Sequence, residues 1–268
     1  MGVSPEKFQK VVFLLEFVPK IFREHADLFK FTKKNNFSMI DIGTGPGTML
    51  LQIENQLPKH YKEIIGTDRA ETMIEYFDSV PKDSRITSRI LDISAEKMPA
   101  DLTGRFDFAF SSFCFGYVPD LRKTFKNCNE LLKPEGETFF AWSIRSHIPE
   151  IYRSLSKIDK WAPYTSDYKN WKSLIEYEDP IGTLSDHLKA AGLEKLKIAE
   201  YEDFAFQDPE DVMLETFESQ DHIRSRIPQI DQQMYKEEFD RIVRTEQIIY
   251  GQKPKIPFPS VAVIAKKN

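Results

Sequence analysis

Asp41, Gly43, Gly45 and Gly47 stand together in "SMIDIGTGPGTML" (residues 38–50), where an apolar run ends on an acid and glycines follow at every second position. Such a pattern exposes backbone amides, and the missing side chains let a small molecule approach the chain. Two phosphate cradles are excluded. The dinucleotide fingerprint needs two residues between its second and third glycines, where this chain has one, and no Gly-Lys-Ser/Thr of a P-loop follows. Asp41 adds a sign, because a carboxylate beside the turn repels pyrophosphate and attracts an ammonium or sulfonium group. Asp68 closes "IIGTD", where a carboxylate can accept hydrogen bonds from both hydroxyls of a ribose. Asp92 in "RILDI" can take an adenine amino group while Ile93 packs on the ring. Any one of these acids could be an ordinary cap. In this order they describe a nucleoside that carries positive charge and no phosphate.

These residues need elements that bring them to one edge. Strands are predicted at "SMIDI", "KEIIGTD", "RITSRILDI", "FDFAFSSFCF" and "ETFFAWSI", alternating with helices at residues 47–56, 70–76 and 121–132, the signature of an α/β parallel sheet. "KPEG" (residues 133–136) reads as a turn. Upstream, Ser4, Pro5 and Glu6 form a helix start followed by Phe8, Val11, Val12 and Leu15 at helical spacing, and Pro19 is expected to kink or split that segment. Downstream, residues 148–171 read as helical and aromatic, "DHLKAAGL" as a short helix ending at Gly192, and "EKLKIAEYEDFAF" as strand-like. Helices at residues 208–218 and 229–248 follow, and "FPSVAVIAKKN" reads as a late strand returning to the sheet.

With 268 residues and 41% hydrophobic content the chain can bury a large core, and a single domain is expected: a helical cap at 1–35, a cofactor-binding core at 36–145, and cap insertions plus the last two strands at 146–268. The net charge of -5, with lysines scattered among acids, offers no footprint for nucleic acid. Cys114 and Cys128 fall in a strand and the adjoining helix, which fits reduced thiols. His25, His60, His147, His187 and His222 have no metal-ligand spacing, so no metal is expected. "MGVSPE" has Glu6 where a myristoylation signal needs Ser or Thr, and no apolar run reaches membrane-spanning length, so the expected location is cytoplasmic.

S-adenosylmethionine (SAM) is the cofactor that fits a cationic, phosphate-free nucleoside site. "IDIGTGPG", "IGTD", "LDI" and "LLKPEG" resemble the successive motifs of class I SAM-dependent methyltransferases. The resemblance implies a Rossmann-like seven-stranded sheet with helices on both faces, a reversed last strand and a helical cap. The expected cofactor-binding set is Asp41, Gly43, Thr44, Gly45, Asp68, Arg69, Met73, Asp92, Ile93 and Ser111.

"EIYRSLSKIDKW", "FDFAFSSFCFGYV" and "VRTEQ" further resemble the insect juvenile hormone acid O-methyltransferases. That resemblance implies methyl transfer to the carboxylate of a farnesoic acid or juvenile-hormone-acid type sesquiterpenoid, by a monomer or homodimer. A carboxylate is already ionised at neutral pH, so no catalytic acid or base is required, only in-line positioning and exclusion of water. The family's glutamine on the N-terminal helix is resembled by Gln9, and its tryptophan after the fourth strand is replaced by Tyr117, which can still donate a hydrogen bond. Gly116 stands where the family usually has histidine, and "KSLIEYEDP" replaces its usual loop of serine, proline and histidine. These departures leave the acceptor open, including another small apolar acid.

Trp142, Trp161, Tyr164, Tyr168, Trp171, Phe204 and Phe206 lie in segments expected to wall an apolar ligand, and Trp142 joins Gln9 and Tyr117 as a substrate-positioning candidate. Arg145 and His147 could attract a carboxylate. Rival readings keep SAM with a phenol, amine or arsenic acceptor, or retain SAM binding without turnover. A nicotinamide oxidoreductase is disfavoured by the glycine spacing and Asp41.

Overall fold

Strand β1 (Ser38–Ile42) is buried at all five residues, the pattern of a central parallel strand covered on both faces. In the computed structural model it lies between β2 (Glu63–Asp68) and β4 (Phe106–Ser112), parallel to both, with Asp41 opposite Gly66 on one side and Phe110 on the other. The structure describes residue 5, residues 12–202 and residues 205–268. Adding β3 (Ile86–Ile90), β5 (Leu132–Ser143), β6 (Leu193–Tyr201) and β9 (Ser260–Lys267) gives a seven-stranded sheet in the order β3-β2-β1-β4-β5-β9-β6. The last strand is reversed relative to β5. Lys267 Nζ reaches the Leu132 carbonyl at one end, and Ile144 N–H donates to the Pro259 carbonyl at the other. The mixed α/β architecture expected from the sequence is the one observed.

The chain divides into two compact units. The sheet unit comprises Val12–Trp142, Asp179–Glu200 and Val261–Asn268. Its two faces are covered by different aromatic groups. Phe22, Phe29 and Phe31 pack on Phe108 and Phe139, with Phe31 stacked on Phe108 at 3.9 Å. On the other face Phe125, from the helix Leu121–Leu131, stacks on Phe140 and meets Trp142. Helix Val12–Glu24 runs through Pro19 without splitting. Val18, Ile21 and Phe22 are at most 3% exposed beside it, so apolar burial offsets the hydrogen bond that proline cannot make.

Three local expectations are corrected. "KPEG" lies inside β5 instead of forming a separate turn, because the sheet absorbs the extra length: Phe106 pairs with Leu132 but Phe108 pairs with Glu137, with Glu135 in the left-handed region at φ 60°. Strand β3 stops at Ile90, so "LDI" is a loop beyond the sheet. Strand β4 stops at Ser112, because Phe113 turns the chain at φ 51°.

The other unit holds, among the described residues, Ser143–Glu178 and Tyr201–Ser260. Its helices are His147–Leu155, Ala162–Thr165, Glu210–Glu218 and Gln232–Ile242, the last extended by a π-turn at Val243–Gln247. Strands β7 (Ala205–Phe206) and β8 (Ile256–Pro257) pair antiparallel. The predicted helix over residues 148–171 is broken after Leu155, where the Ser156 hydroxyl turns back to donate to the Arg153 carbonyl at 2.7 Å. Buried Asp221 anchors this unit by accepting on one carboxylate oxygen from the Tyr152 and Tyr235 hydroxyls and the Ile223 N–H.

Candidate functional site

The glycine turn is tied to the end of β2 through backbone and side chain. Gly43 and Thr44 donate their N–H groups to the Thr67 carbonyl at 2.8 and 2.7 Å, and the Thr67 hydroxyl returns a bond to the Asp41 carbonyl at 2.9 Å. The Gly45 N–H donates to Asp68 Oδ2 at 2.9 Å, while Ala70 N–H holds Asp68 Oδ1 at 2.9 Å. Each Asp68 oxygen can still accept a second bond, as a pair of ribose hydroxyls requires.

Two of the glycines also answer to the protein itself. A Cβ on Gly47 (φ 83°) would sit 2.0 Å from the Phe77 ring, and one on Gly43 (φ 76°) would sit 2.5 Å from the Cys114 side chain. Gly47 thus serves packing of the helix Glu71–Ser79.

Asp41 is 2% exposed, and burial raises its carboxyl to about 7, with the Thr44 hydroxyl opposing and Asp68 adding to the rise. Asp68 is raised as well, again chiefly by burial. The Ala70 and Gly45 N–H groups and then the Arg69 charge oppose that rise. Thr44 Oγ1 is buried and lacks a hydrogen-bond partner of normal geometry. Two carboxylates and an orphaned hydroxyl at one glycine turn suit a ligand with positive charge and hydroxyl donors. The residues present fit SAM on that ground.

Arg69 is exposed beyond Asp68, and Met73 is buried on the following helix. Asp92 is exposed and Ile93 buried in the loop after β3, which is joined to the turn by Leu91 N–H donating to the Asp68 carbonyl at 2.9 Å. Asp92 Oδ1 accepts from the Ser94 N–H and hydroxyl at 2.8 and 2.6 Å. Ser111 is buried and gives its hydroxyl to the Ile42 carbonyl at 2.8 Å, fastening β4 to β1 below the turn.

Past β4, the left-handed Phe113 swings Cys114 against Gly43, and Tyr117 N–H closes a turn on the Cys114 carbonyl at 3.0 Å. Burial pushes the Cys114 thiol up to about 12, with Asp68 adding to it, so the thiol stays neutral. Tyr117 is half-buried; burial and then the neighbouring Cys114 hold its phenol above the usual range, and Arg69 opposes. At neutral pH its hydroxyl keeps its proton. Trp142 is not brought to this group. It is 2% exposed, with its ring against Phe115 and Phe125 in the core. Gln9 lies outside the described residues, as does Phe204.

Trp161 and Phe206 are core residues of the other unit, Trp161 meeting Tyr235 at 5.3 Å. Arg145 and His147 are engaged within it. Arg145 Nε donates to Glu150 at 3.0 Å. His147 has Gln247 at 2.6 Å on Nδ1 and the Pro257 carbonyl at 2.8 Å on Nε2, and burial lowers its pKa. Sequence reasoning missed Thr67, Cys114 and Asn127, whose Nδ2 donates to the Ile93 and Ala95 carbonyls. An amide on the otherwise largely apolar stripe of helix Leu121–Leu131, beside the smaller Thr124, was the available signal for Asn127.

Residues 39–136 match the profile of a family described as a methyltransferase domain. A juvenile hormone acid O-methyltransferase of Drosophila melanogaster is 30% identical over 159 residues, covering 59% of this chain and 54% of that protein. One of Bombyx mori is 28% identical over 176 residues, covering 65% and 63%. The chain therefore spans 54% and 63% of the length of these two relatives. A ubiquinone biosynthesis O-methyltransferase of Coxiella burnetii is 26% identical over 42% of this chain and 47% of its own. Among solved structures, a SAM-dependent methyltransferase from Mesorhizobium loti gives a TM-score of 0.52 at 16% identity, covering 94% of this chain and 100% of that one. The cyclase SpnF gives 0.54 at 14% identity, covering 93% and 81%. These two establish the fold, which carries a methyltransferase in one and a cyclase in the other. Residues 39–136 are thus a methyltransferase domain, on a fold shared with a SAM-dependent methyltransferase, and the chain resembles the juvenile hormone acid O-methyltransferases in sequence.

Proposed function

We propose that this protein transfers a methyl group from SAM to the carboxylate of a small apolar acid, with farnesoic acid and juvenile-hormone-acid type sesquiterpenoids as the leading acceptors. The observation that carries the cofactor half is the buried Asp41 beside the orphaned Thr44 hydroxyl, two residues from a glycine turn whose Gly45 N–H is already committed to Asp68. That arrangement is hostile to phosphate and receptive to a cation. The sequence similarity to two juvenile hormone acid O-methyltransferases carries the acceptor half.

When bound, SAM supplies a methyl group activated by its sulfonium charge. Asp41 would attract the cationic end, with Thr44 donating or accepting beside it. Asp68 would take the ribose hydroxyls, and Asp92 with Ile93 the adenine, while Gly43, Gly45, Arg69, Met73 and Ser111 complete the surrounding shell. Tyr117 keeps its proton at neutral pH and can donate to the acceptor carboxylate, the role for which Gln9 is the second candidate. No side chain need remove a proton, because the attacking oxygen is already anionic. The chain's contribution is to bring the two groups to about 3 Å in line and to exclude water.

The test is methyl transfer from labelled SAM to farnesoic acid, juvenile hormone acid, medium-chain fatty acids and aromatic acids, with SAM affinity measured alongside. Turnover on the sesquiterpenoid acids is the expected outcome. SAM binding with no turnover on any acid would favour the second reading, a SAM-binding paralogue, for which Gly116 and Tyr117 are the motivating departures.

A further inference from the structure

Asn127 stands in the interior of the helix Leu121–Leu131, a position where asparagine is a weak helix former, and it is 3% exposed. A buried side-chain amide is costly unless its hydrogens are used. Here both are: Nδ2 donates to the Ile93 carbonyl at 2.7 Å and to the Ala95 carbonyl at 2.9 Å. One turn earlier on the same helix, Lys123 pairs with Glu96. The loop also braces itself, since Asp92 Oδ1 takes two bonds from Ser94 and Ala95 N–H donates to the Asp92 carbonyl at 3.1 Å. At its root, Leu91 N–H is bonded to the Asp68 carbonyl. Polar ties from both ends thus set the shape of a loop that has left the sheet.

We infer that Asn127 is a positioning residue for nucleobase recognition: by holding the Ile93 and Ala95 carbonyls it fixes where the Asp92 carboxylate and the Ile93 side chain stand relative to the base. The inference rests on the reading that Asp92 and Ile93 receive the adenine. Asn127 has no amide hydrogen left for a ligand, so it acts through the loop. An apolar residue at 127 could fill the same space beside Phe125, Cys128 and Leu131, but it would leave two carbonyls without their donor.

The experiment compares binding of S-adenosylhomocysteine and S-inosylhomocysteine, in which an oxo group replaces the 6-amino group, to the full-length protein by calorimetry. Wild type should prefer the adenosyl form by about tenfold or more, because a carboxylate that accepts from the amino group is left facing an oxygen. Asn127→Asp keeps the size and loses the donor, and Asn127→Ser keeps one donor and serves if the aspartate does not fold. Each should weaken the adenosyl ligand by about tenfold to thirtyfold, the worth of one or two net hydrogen bonds, and should pull the adenosyl-to-inosyl ratio toward one. SAM's KM should rise with little change in kcat. Folded variants that bind more weakly but keep the wild-type ratio would reduce Asn127 to a structural role and overturn the inference. A wild type that does not discriminate would overturn the Asp92 assignment as well.

Discussion

Replacing Asp41 by asparagine should make the ligand-free protein more stable and the cofactor complex weaker, and the stability gain should grow with pH. The folded carboxyl is raised from 3.8 to about 7, first by burial, with Asp68 adding and the Thr44 hydroxyl opposing. The folded state therefore binds this proton more tightly than the unfolded chain does. Stability from the group is complete below about pH 4, declines as pH rises and is lost once pH passes about 7. About three decades of proton affinity at about 1.4 kcal/mol per decade make a burial penalty of about 4 kcal/mol at pH 8, but only about 2 kcal/mol at pH 5. Asp41→Asn removes the charge at nearly constant shape. Its advantage over wild type in urea unfolding should then widen by about 2 to 3 kcal/mol between pH 5 and pH 8. Asp68 is present in both proteins and largely cancels. The same substitution deletes the anion offered to the sulfonium end, so SAM affinity should fall at least about tenfold at pH 8. Wild-type affinity should climb through pH 7 as binding expels the proton, a trend the variant lacks. A stability offset that is the same at pH 5 and pH 8, or an unchanged SAM affinity, would refute this account of Asp41.

Gly47→Ala places a methyl 2.0 Å from the Phe77 ring at a left-handed φ of 83°, so a loss of about 2 to 4 kcal/mol in denaturant unfolding is expected, partly recovered by adding Phe77→Leu. His147 has a lowered pKa because burial disfavours its cation. Its contribution to stability is therefore present above the unfolded value near 6.5 and is lost as pH falls below it, and His147→Gln should flatten that acid limb in thermal melts. Tyr117→Phe removes the proposed donor to the acceptor carboxylate and should lower kcat/KM for the acid about tenfold while SAM affinity stays constant; an equal loss in both would place Tyr117 at the cofactor instead.

The parts of this site that could be read from the chain are those encoded by neighbours in sequence. "SMIDI" is apolar without a break because β1 is covered on both faces, and Asp41, Asp68 and the glycines announce themselves where a strand gives way to a turn. What could not be read depends on partners far away in sequence. Gly47 looks like a residue that makes room for a ligand until Phe77 is found in that room, and Gly43 until Cys114 is found there. Arg145 and His147 look available to a substrate until Glu150, Gln247 and the Pro257 carbonyl are seen to occupy them. Trp142 reads as a wall for an acyl chain by its residue type alone, yet strand alternation sends it to the face covered by Phe115 and Phe125.

The end of β4 shows why such misreadings concentrate near a site. "FDFAFSSFCF" has the composition of a longer strand, and local propensity continues it through Phe115. The chain instead adopts a left-handed backbone at Phe113, a conformation that costs a bulky residue about 1 to 3 kcal/mol. The contacts that offset this strain are tertiary: Phe113 N–H donates to the Ala141 carbonyl at 2.7 Å, Cys114 backs onto Gly43, and Phe115 is 2% exposed against Phe140 and Trp142. A straight strand would carry Cys114 and Tyr117 away from Asp41 and Asp68. The departure from local preference is what brings the thiol to the two acids at one turn, so propensity fails here for the same reason that the candidate site can form.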